Sequence, residues 1–376
     1  METIKLALID RSYNIIAGEN IIKAFGRNAA RLKIGTDAYI ITNEKIKRLY
    51  GNRIRKTMEG CGFSLRFRTV PDGEASKSIK TASSIIADIA DYDQRRRIFI
   101  IAMGGGVIGD LSGFVASVYK RGVPYVQLPT TLLAQVDSAI GGKTGVDLAE
   151  GKNLIGAFYQ PRLVFSEIGF LKTLSQRQAR SGLAEVIKYG VIKDTALFSY
   201  LEDNYPDILR LKTGALEYIV CRCSRIKAKM VSADEREEKG VRTLLNFGHT
   251  AGHAIEAAGR YKLHNHGEAV ALGMLVAAGI SRRLGLLPES GVKRIENLIR
   301  AVGLPTRITG VTLSAVINAH YRDKKFLGKK NRFVLAKGIS KAVIRENIPL
   351  EIIKDSLRER MRGSTALLRA AGKLDR

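Results

Sequence analysis

The chain has 376 residues, 45% of them hydrophobic, and a formal charge of +26. That length exceeds what a single core usually supports, so two domains are expected, and three cysteines, Cys61, Cys221 and Cys223, are too few for a disulfide framework and point to a reducing, cytoplasmic setting. The charge permits anionic partners, but Lys and Arg are scattered and no basic block is interleaved with aromatics, so small anions are expected rather than nucleic acid. The opening METIKLALIDRS has acidic Glu2 and Asp10 bracketing a short apolar run, unlike an export signal. Short β-branched runs then follow in order: IKLALI, AYIITN, FSLRFRTV, RIFIIAM, YVQLP and RLVFSE. Alternating with helical patterns, they predict an α/β domain on a largely parallel sheet over residues 1–166. The most apolar stretch, Ile98 to Val118, carries glycines and Asp110, which suits a strand, turn and buried helix better than a membrane span. From about Glu167 the pattern turns helical, through SGLAEVIKYGVI, GALEYIVCRCSRIKAKMVS, FGHTAGHAIEAA and HGEAVALGMLVAAGISRRLG. This predicts a mostly helical second domain over 167–362, interrupted by a hairpin in RFVLAKGISKAVIRE around its Lys-Gly pair, and a tail over 363–376. An active site is expected in the cleft between the domains.

Gly104, Gly106 and Gly109 in MGGGVIGD fit G-x-G-x-x-G after an apolar strand and before a helix, where backbone N–H groups can meet a pyrophosphate. The strand is a late one, and no acidic residue follows about 20 positions on to take a ribose hydroxyl, so a tight packing turn stands as the alternative. A second glycine-rich stretch, GGKTGVDLAEGKN, holds Lys143 and Lys152 but has Asp137 where a nucleotide P-loop needs its first glycine. Its lysines suit a phosphate or carboxylate, or simply a solvated loop.

Four of the five histidines, His249, His253, His264 and His266, fall within eighteen positions, which suggests a metal. His249 and His253 are four apart on a predicted helix and share a face. The carboxylate partner stays open on spacing alone: Glu256 continues that face, Glu185 lies some sixty residues earlier, and there is no H-E-x-x-H.

Taken together, DGEASK, GGGVIGDLSGFVAS, KRGVPYVQLPTTLLAQVDSAIGGKTGV, GKNLIGAFYQP, FLKTL, GLAEVIKYG, DEREEKGVRTLLNFGHTAGHAIEA and HGEAVALGM closely resemble the 3-dehydroquinate synthases, in order from about residue 38 to 340. The resemblance implies a Rossmann-like α/β domain plus a helical domain, and a cytoplasmic, homodimeric enzyme of the shikimate pathway using NAD and Zn2+ or Co2+. It implies metal ligands Glu185, His249 and His266, with His253 acting on substrate. It implies NAD contacts at Asn43, Lys45, Asp72, Gly73, Glu74, Lys77, Gly106, Val107, Ile108, Gly109, Asp110, Thr130, Thr131, Lys143, Lys152, Phe170, Leu171, Lys172 and Thr173. Substrate positions are Arg121, Asp137, Lys143, Lys152, Asn153, Lys188, Lys227, Glu237, Arg242, Asn246 and His253, joined by Lys324 or Lys325. Most are cationic or amide groups, suited to a substrate with a carboxylate and a phosphate. The implied reaction turns 3-deoxy-D-arabino-heptulosonate 7-phosphate into 3-dehydroquinate by transient oxidation, phosphate loss, re-reduction and aldol closure.

The chain departs from the family pattern in the extra His264, in one added residue in DEREEKG and in its basic balance. Rival readings are a cyclase for another sugar phosphate, such as an amino-dehydroquinate or deoxy-inosose synthase, and a polyol dehydrogenase resembling glycerol dehydrogenase. The dense cationic set, unneeded for a neutral polyol, argues against the last.

Overall fold

β-Branched and aromatic runs set the strands, and glycines, prolines and Asx residues set where they stop. The computed structural model describes residues 1–148, 151–322 and 331–361, which fall into two compact units. The first comprises Met1–Ser175 and Leu211–Arg236. Its strands are β1 (Glu2–Leu6), β2 (Tyr13–Gly18), β3 (Asp37–Thr42), β4 (Ser64–Thr69), β5 (Ile98–Gly104), β6 (Tyr125–Pro129), β7 (Lys143–Leu148), β8 (Gly151–Phe158) and β9 (Leu163–Glu167). Seven of them form one sheet in the order β1-β2-β9-β6-β5-β3-β4. All its pairings are parallel except β1–β2, as the near-continuous apolar composition of β3, β5 and β6 predicts for strands covered on both faces.

Helices α1 (Phe25–Arg31) and α2 (Glu44–Glu59) cover one face, burying Phe25, Ile54 and Met58 against Ile40 and Ile101. Helices α3 (Ile79–Tyr92) and α4 (Gly106–Val118) cover the other, burying Ile85, Ile89 and Leu111 against Tyr39, Ile41 and Ile100. The neighbours β3 and β5 therefore send their chains to opposite faces, which makes a topological switch point at their carboxyl ends.

The chain leaves this unit for α5 (Gln176–Lys193) and α6 (Thr195–Leu209) and returns as α7 (Thr213–Ala233), which buries Ala228 and Val231 in a cluster with Ile4, Leu6, Tyr13 and Ile15 of the β1–β2 edge. The compact units thus divide the chain differently from 1–166 and 167–362: Leu211–Arg236 groups with the first unit, because the helix's apolar stripe supplies one side of that cluster. Strands β2, β7 and β8 were absent from the expected elements. Glycine interrupts the period-2 signal in β7 and β8, where Gly145 and Gly156 face each other so closely that a Cβ on Gly156 would lie 2.2 Å from the Thr144 carbonyl oxygen.

The second unit comprises Gln176–Arg210 and Glu237–Arg376. Besides α5 and α6 it contains α8 (His249–Ala258), α9 (His266–Arg283), α10 (Glu289–Ala301), α11 (Leu313–Arg322), β10 (Arg332–Ala336), β11 (Ala342–Glu346) and α12 (Leu350–Met361). Helix α9 is apolar all round and correspondingly buried all round from Ala269 to Ile280. The expected hairpin is β10–β11, with a wider turn than the Lys-Gly pair suggests: it runs over residues 337–341, with Gly338 at φ 110° and Ser340 at φ 67°. Lys324, Lys325 and the predicted tail lie outside the described residues. Among the described residues, no helix is long and apolar enough to cross a membrane.

Candidate active site

Helices α8 and α9 of the second unit cross on glycine. A Cβ on Gly273 of α9 would lie 1.9 Å from the Gly248 carbonyl oxygen, and one on Gly252 of α8 would lie 2.9 Å from that of Ala269. Gly248 itself caps α8 in the left-handed region at φ 82°. This contact sets His249, first residue of α8, beside His266, first residue of α9, with ring centroids 5.4 Å apart. The start of α9 is fixed by an Asn265–Glu268 capping box and by Arg177 of α5, whose guanidinium meets Glu268 at 2.8 and 2.9 Å. Gly267 donates its N–H to Ser181 Oγ of α5 at 3.1 Å.

Glu185 projects from the middle of α5 and is fully buried. His249 Nε2 lies 3.6 Å and His266 Nε2 3.4 Å from its Oε1, while its Oε2 pairs with the Lys188 ammonium one turn along. Behind the imidazoles, His249 Nδ1 is 3.3 Å from the Phe247 carbonyl oxygen and His266 Nδ1 is 3.5 Å from Glu256 Oε2. With no ion between them, Glu185 and Glu256 outweigh the burial that would lower the His266 pKa and hold it up to about 10, a proton that an ion taking Nε2 displaces. Glu185, His249 and His266 can direct one ligand atom each to a common point, a two-imidazole, one-carboxylate set that fits Zn2+ or Co2+ with coordination positions left over.

Around this cluster, His253 lies one turn on from His249, 5.4 Å ring to ring. Arg242 is buried at the start of the short turn Arg242–Asn246, and Asn246 donates to Glu237 Oε1 at 2.6 Å, with Glu237 held at φ 64°. His264 belongs neither to Glu185–His249–His266 nor to His253–Glu256–His266, the second trio of potential ligands among the described residues, and its Nε2 is buried without a hydrogen-bond partner there.

In the first unit, α4 begins at Gly106 directly after β5 with no side-chain cap and no acidic residue in its first turn. Its leading N–H groups are thus open to an anion. A Cβ on Gly104 would meet Ile108 at 2.6 Å, on Gly105 Thr131 at 3.1 Å, and on Gly106 Ser138 Oγ at 3.1 Å, so both close packing and a phosphate cradle call for glycine here. Gly109 rests on Gln127 of β6, and Thr130 donates its N–H to the Gly104 carbonyl at 2.9 Å. Alongside, at the carboxyl ends of β3 and β4, a cavity of about 340 Å³ is lined by Asn43, Glu44, Lys45, Thr69, Val70, Pro71 and Asp72. Asn43 caps α2 through the Ile46 N–H and donates to Asp72 at 3.1 Å. These groups flank the switch point, where doubly wound sheets bind dinucleotides.

Lys77, 4% exposed, donates to Asp110 at 2.7 Å and to Asn153 at 2.5 Å. Burial opposes its charge, but Asp110, with Asp147 and Glu74 further off, outweighs that and holds its pKa above the ordinary lysine value. Asn153 stands at φ 56° on β8, its N–H donating to Asp147 Oδ1, and Lys152 lies 3.3 Å from Glu74. Lys143 opens β7 on the exposed side. Asp137, in a π-helical turn over Ala134–Ser138, accepts from Lys227 of α7 at 2.7 Å through both its carboxylate and its carbonyl oxygen.

Three predicted positions, Arg121, Phe170 and Leu171, do not bring their side chains to these groups. Arg121 is exposed beyond the far end of α4, whose 13 residues span about 20 Å from the glycine turn. Phe170 and Leu171 are core residues: the Phe170 ring packs tilted against that of Tyr50 with centroids 4.2 Å apart, so that turn offers a ligand its backbone and the exposed Lys172 and Thr173. Lys172 itself pairs with Glu19 at 2.6 Å. Sequence reasoning missed Asp147, Arg177 and Ser181 as supports. Nothing in the spacing marks them, because each reaches its partner through the fold.

Residues 67–181 match the family described as 3-dehydroquinate synthase N-terminal, and residues 182–326 that described as 3-dehydroquinate synthase C-terminal. A 3-dehydroquinate synthase from Pelotomaculum thermopropionicum is 44% identical over 375 residues, 100% of both chains. Among solved structures, a 2-deoxy-scyllo-inosose synthase complexed with carbaglucose-6-phosphate, NAD+ and Co2+ superposes with a TM-score of 0.87 at 26% identity, covering 96% of this chain and 100% of that one. A 2-epi-5-epi-valiolone synthase from Streptomyces hygroscopicus with NAD+ and Zn2+ bound gives 0.85 at 28% identity, over 94% and 98%.

Proposed function

The chain belongs to the 3-dehydroquinate synthase family, and we infer from that membership and from its site that it converts 3-deoxy-D-arabino-heptulosonate 7-phosphate into 3-dehydroquinate and phosphate. The observation that carries this reading is the convergence of His249 and His266 Nε2 on one carboxylate oxygen of Glu185. Bound NAD supplies a reversible hydride acceptor and the divalent ion a Lewis acid for the substrate hydroxyls.

The chain's own residues supply position and charge. Glu185, His249 and His266 hold the ion. The amino end of α4 and the Asn43–Asp72 cavity hold the dinucleotide, with Lys45, the segment Gly73–Lys77, Thr130, Thr131 and the turn at Lys172–Thr173 around it. Lys143, Lys152, Asn153, Lys188, Lys227, Arg242 and Asn246 hold carboxylate and phosphate, since fixed donors orient both anionic ends of the substrate and favour phosphate departure. Lys77 pins Asn153 while neutralising Asp110, and Glu237 pins Asn246, so both amides are oriented before substrate arrives. His253, beside the ligand His249, is placed to move a proton at the substrate. A homodimer in the cytoplasm completes the proposal.

A cyclase for another sugar phosphate needs the same metal and dinucleotide groups, so substrate comparison is the test. Purified protein with NAD and Zn2+ is expected to release phosphate from 3-deoxy-D-arabino-heptulosonate 7-phosphate, and not from glucose 6-phosphate. Release from the latter alone would move the chain to the inosose-forming cyclases.

A further inference from the structure

His266 stands in two overlapping groups of potential ligands, Glu185–His249–His266 and His253–Glu256–His266. We propose that Glu256 is a positioning residue that holds the Nδ1–H of His266, so that Nε2 is the nitrogen offered to the ion, and that Glu256 is not itself a ligand. The proposal rests on the ligand assignment above and deepens it.

A neutral imidazole has one N–H and one lone pair, and the hydrogen bond made by one nitrogen decides which of the two the other presents to a metal. His266 Nδ1 faces Glu256 Oε2 at 3.5 Å, and Nε2 faces Glu185 Oε1 at 3.4 Å. Glu256 is 3% exposed, and a carboxylate so buried needs a donor. The Nδ1–H is such a donor, and giving it to Glu256 leaves the lone pair on Nε2.

His249 reaches the same state by a different route. Its Nδ1 lies 3.3 Å from the Phe247 carbonyl oxygen, an acceptor only, so this nitrogen carries the proton and Nε2 is again free. Both free nitrogens then point at one oxygen of Glu185, which selects the first group over the second. Helix α8 thus carries one ligand, His249, and seven residues on, two helical turns away, the carboxylate that orients the ligand from α9.

The test is metal uptake by the metal-stripped, full-length protein, with Zn2+ titrated against a chromophoric chelator and Co2+ followed by its visible absorption. Glu256→Ala is expected to weaken Zn2+ binding by roughly 10–100-fold while still taking up a single ion with the wild-type Co2+ spectrum. Glu256→Gln, nearly isosteric and therefore the safer variant for folding, keeps an amide oxygen to accept the Nδ1–H and should fall between Ala and wild type. Wild-type affinity in Glu256→Ala would overturn the proposal, as would a changed Co2+ spectrum in either variant, because that marks Glu256 as a ligand. A wild-type chain that takes up no ion would overturn the ligand assignment itself, and the positioning role with it.

Discussion

Gly273→Ala should damage the proposed metal site without touching Glu185, His249 or His266. Its Cβ would sit 1.9 Å from the Gly248 carbonyl oxygen and 2.6 Å from the Gly252 nitrogen, both backbone atoms of α8 that no rotamer change can move. A carbon needs about 3.3 Å from such an oxygen, so α8 and α9 must part locally by roughly 1.4 Å. Overpacking of this kind costs about 1–3 kcal/mol, and a backbone collision belongs at the upper end. For a unit of this size about 3 kcal/mol is roughly 6–12 °C in melting temperature. The same parting separates His249 from His266, and ligands proposed for one ion tolerate only about 0.2 Å in their distances. Gly279→Ala on the same helix is the control: its nearest neighbours lie at 3.5 Å, so the methyl fits and helix propensity should raise stability by about 0.5–1 kcal/mol. Thermal unfolding with and without Zn2+, together with Zn2+ titration, reads both effects. A Gly273→Ala protein with wild-type melting temperature and Zn2+ affinity would refute the close-crossing account.

Three further outcomes are expected. Lys77→Met strands the Asp110 carboxylate beside a buried methionine and should cost about 3–5 kcal/mol, together with weaker NAD binding by fluorescence titration; unchanged stability would mean the pair is dispensable. The Glu268 pKa is lowered below 4.5, first by its hydrogen bond from Arg177, with burial opposing, so its contribution is complete above that value and is lost as pH falls through the lowered one. Arg177→Ala should therefore cost no more than about 1 kcal/mol at pH 7, because the guanidinium is largely exposed, with the difference from wild type closing in acid denaturation at lower pH. Burial, with Glu2 nearby, pushes the Cys221 thiol up to about 12, so at pH 8 a thiol reagent should modify half-buried Cys61 first and reach Cys221 and Cys223 only on unfolding.

Much of this was legible in the sequence where the signal is local. The strand, glycine turn and helix around Gly104–Gly109 could be read from an apolar run ending in glycines, and the His249–His253 spacing gave their shared face. Which carboxylate faces which imidazole nitrogen was not legible, because Glu185 and Glu256 stand alike on spacing and only the α5–α9 and α8–α9 contacts set His266 Nε2 against Glu185 and Nδ1 against Glu256. The membership of α7 in the first unit was likewise hidden, since an amphipathic stripe does not say which core it completes. The β7–β8 hairpin escaped because the glycines that let its backbones approach are those that read as loop.

The most direct test of the central claim follows phosphate and reduced NAD together during turnover of 3-deoxy-D-arabino-heptulosonate 7-phosphate by metal-stripped and Zn2+-restored protein. Many equivalents of phosphate per enzyme are expected with no net NADH, and none until Zn2+ or Co2+ is restored. NADH accumulating in step with product, or phosphate release indifferent to metal, would contradict it.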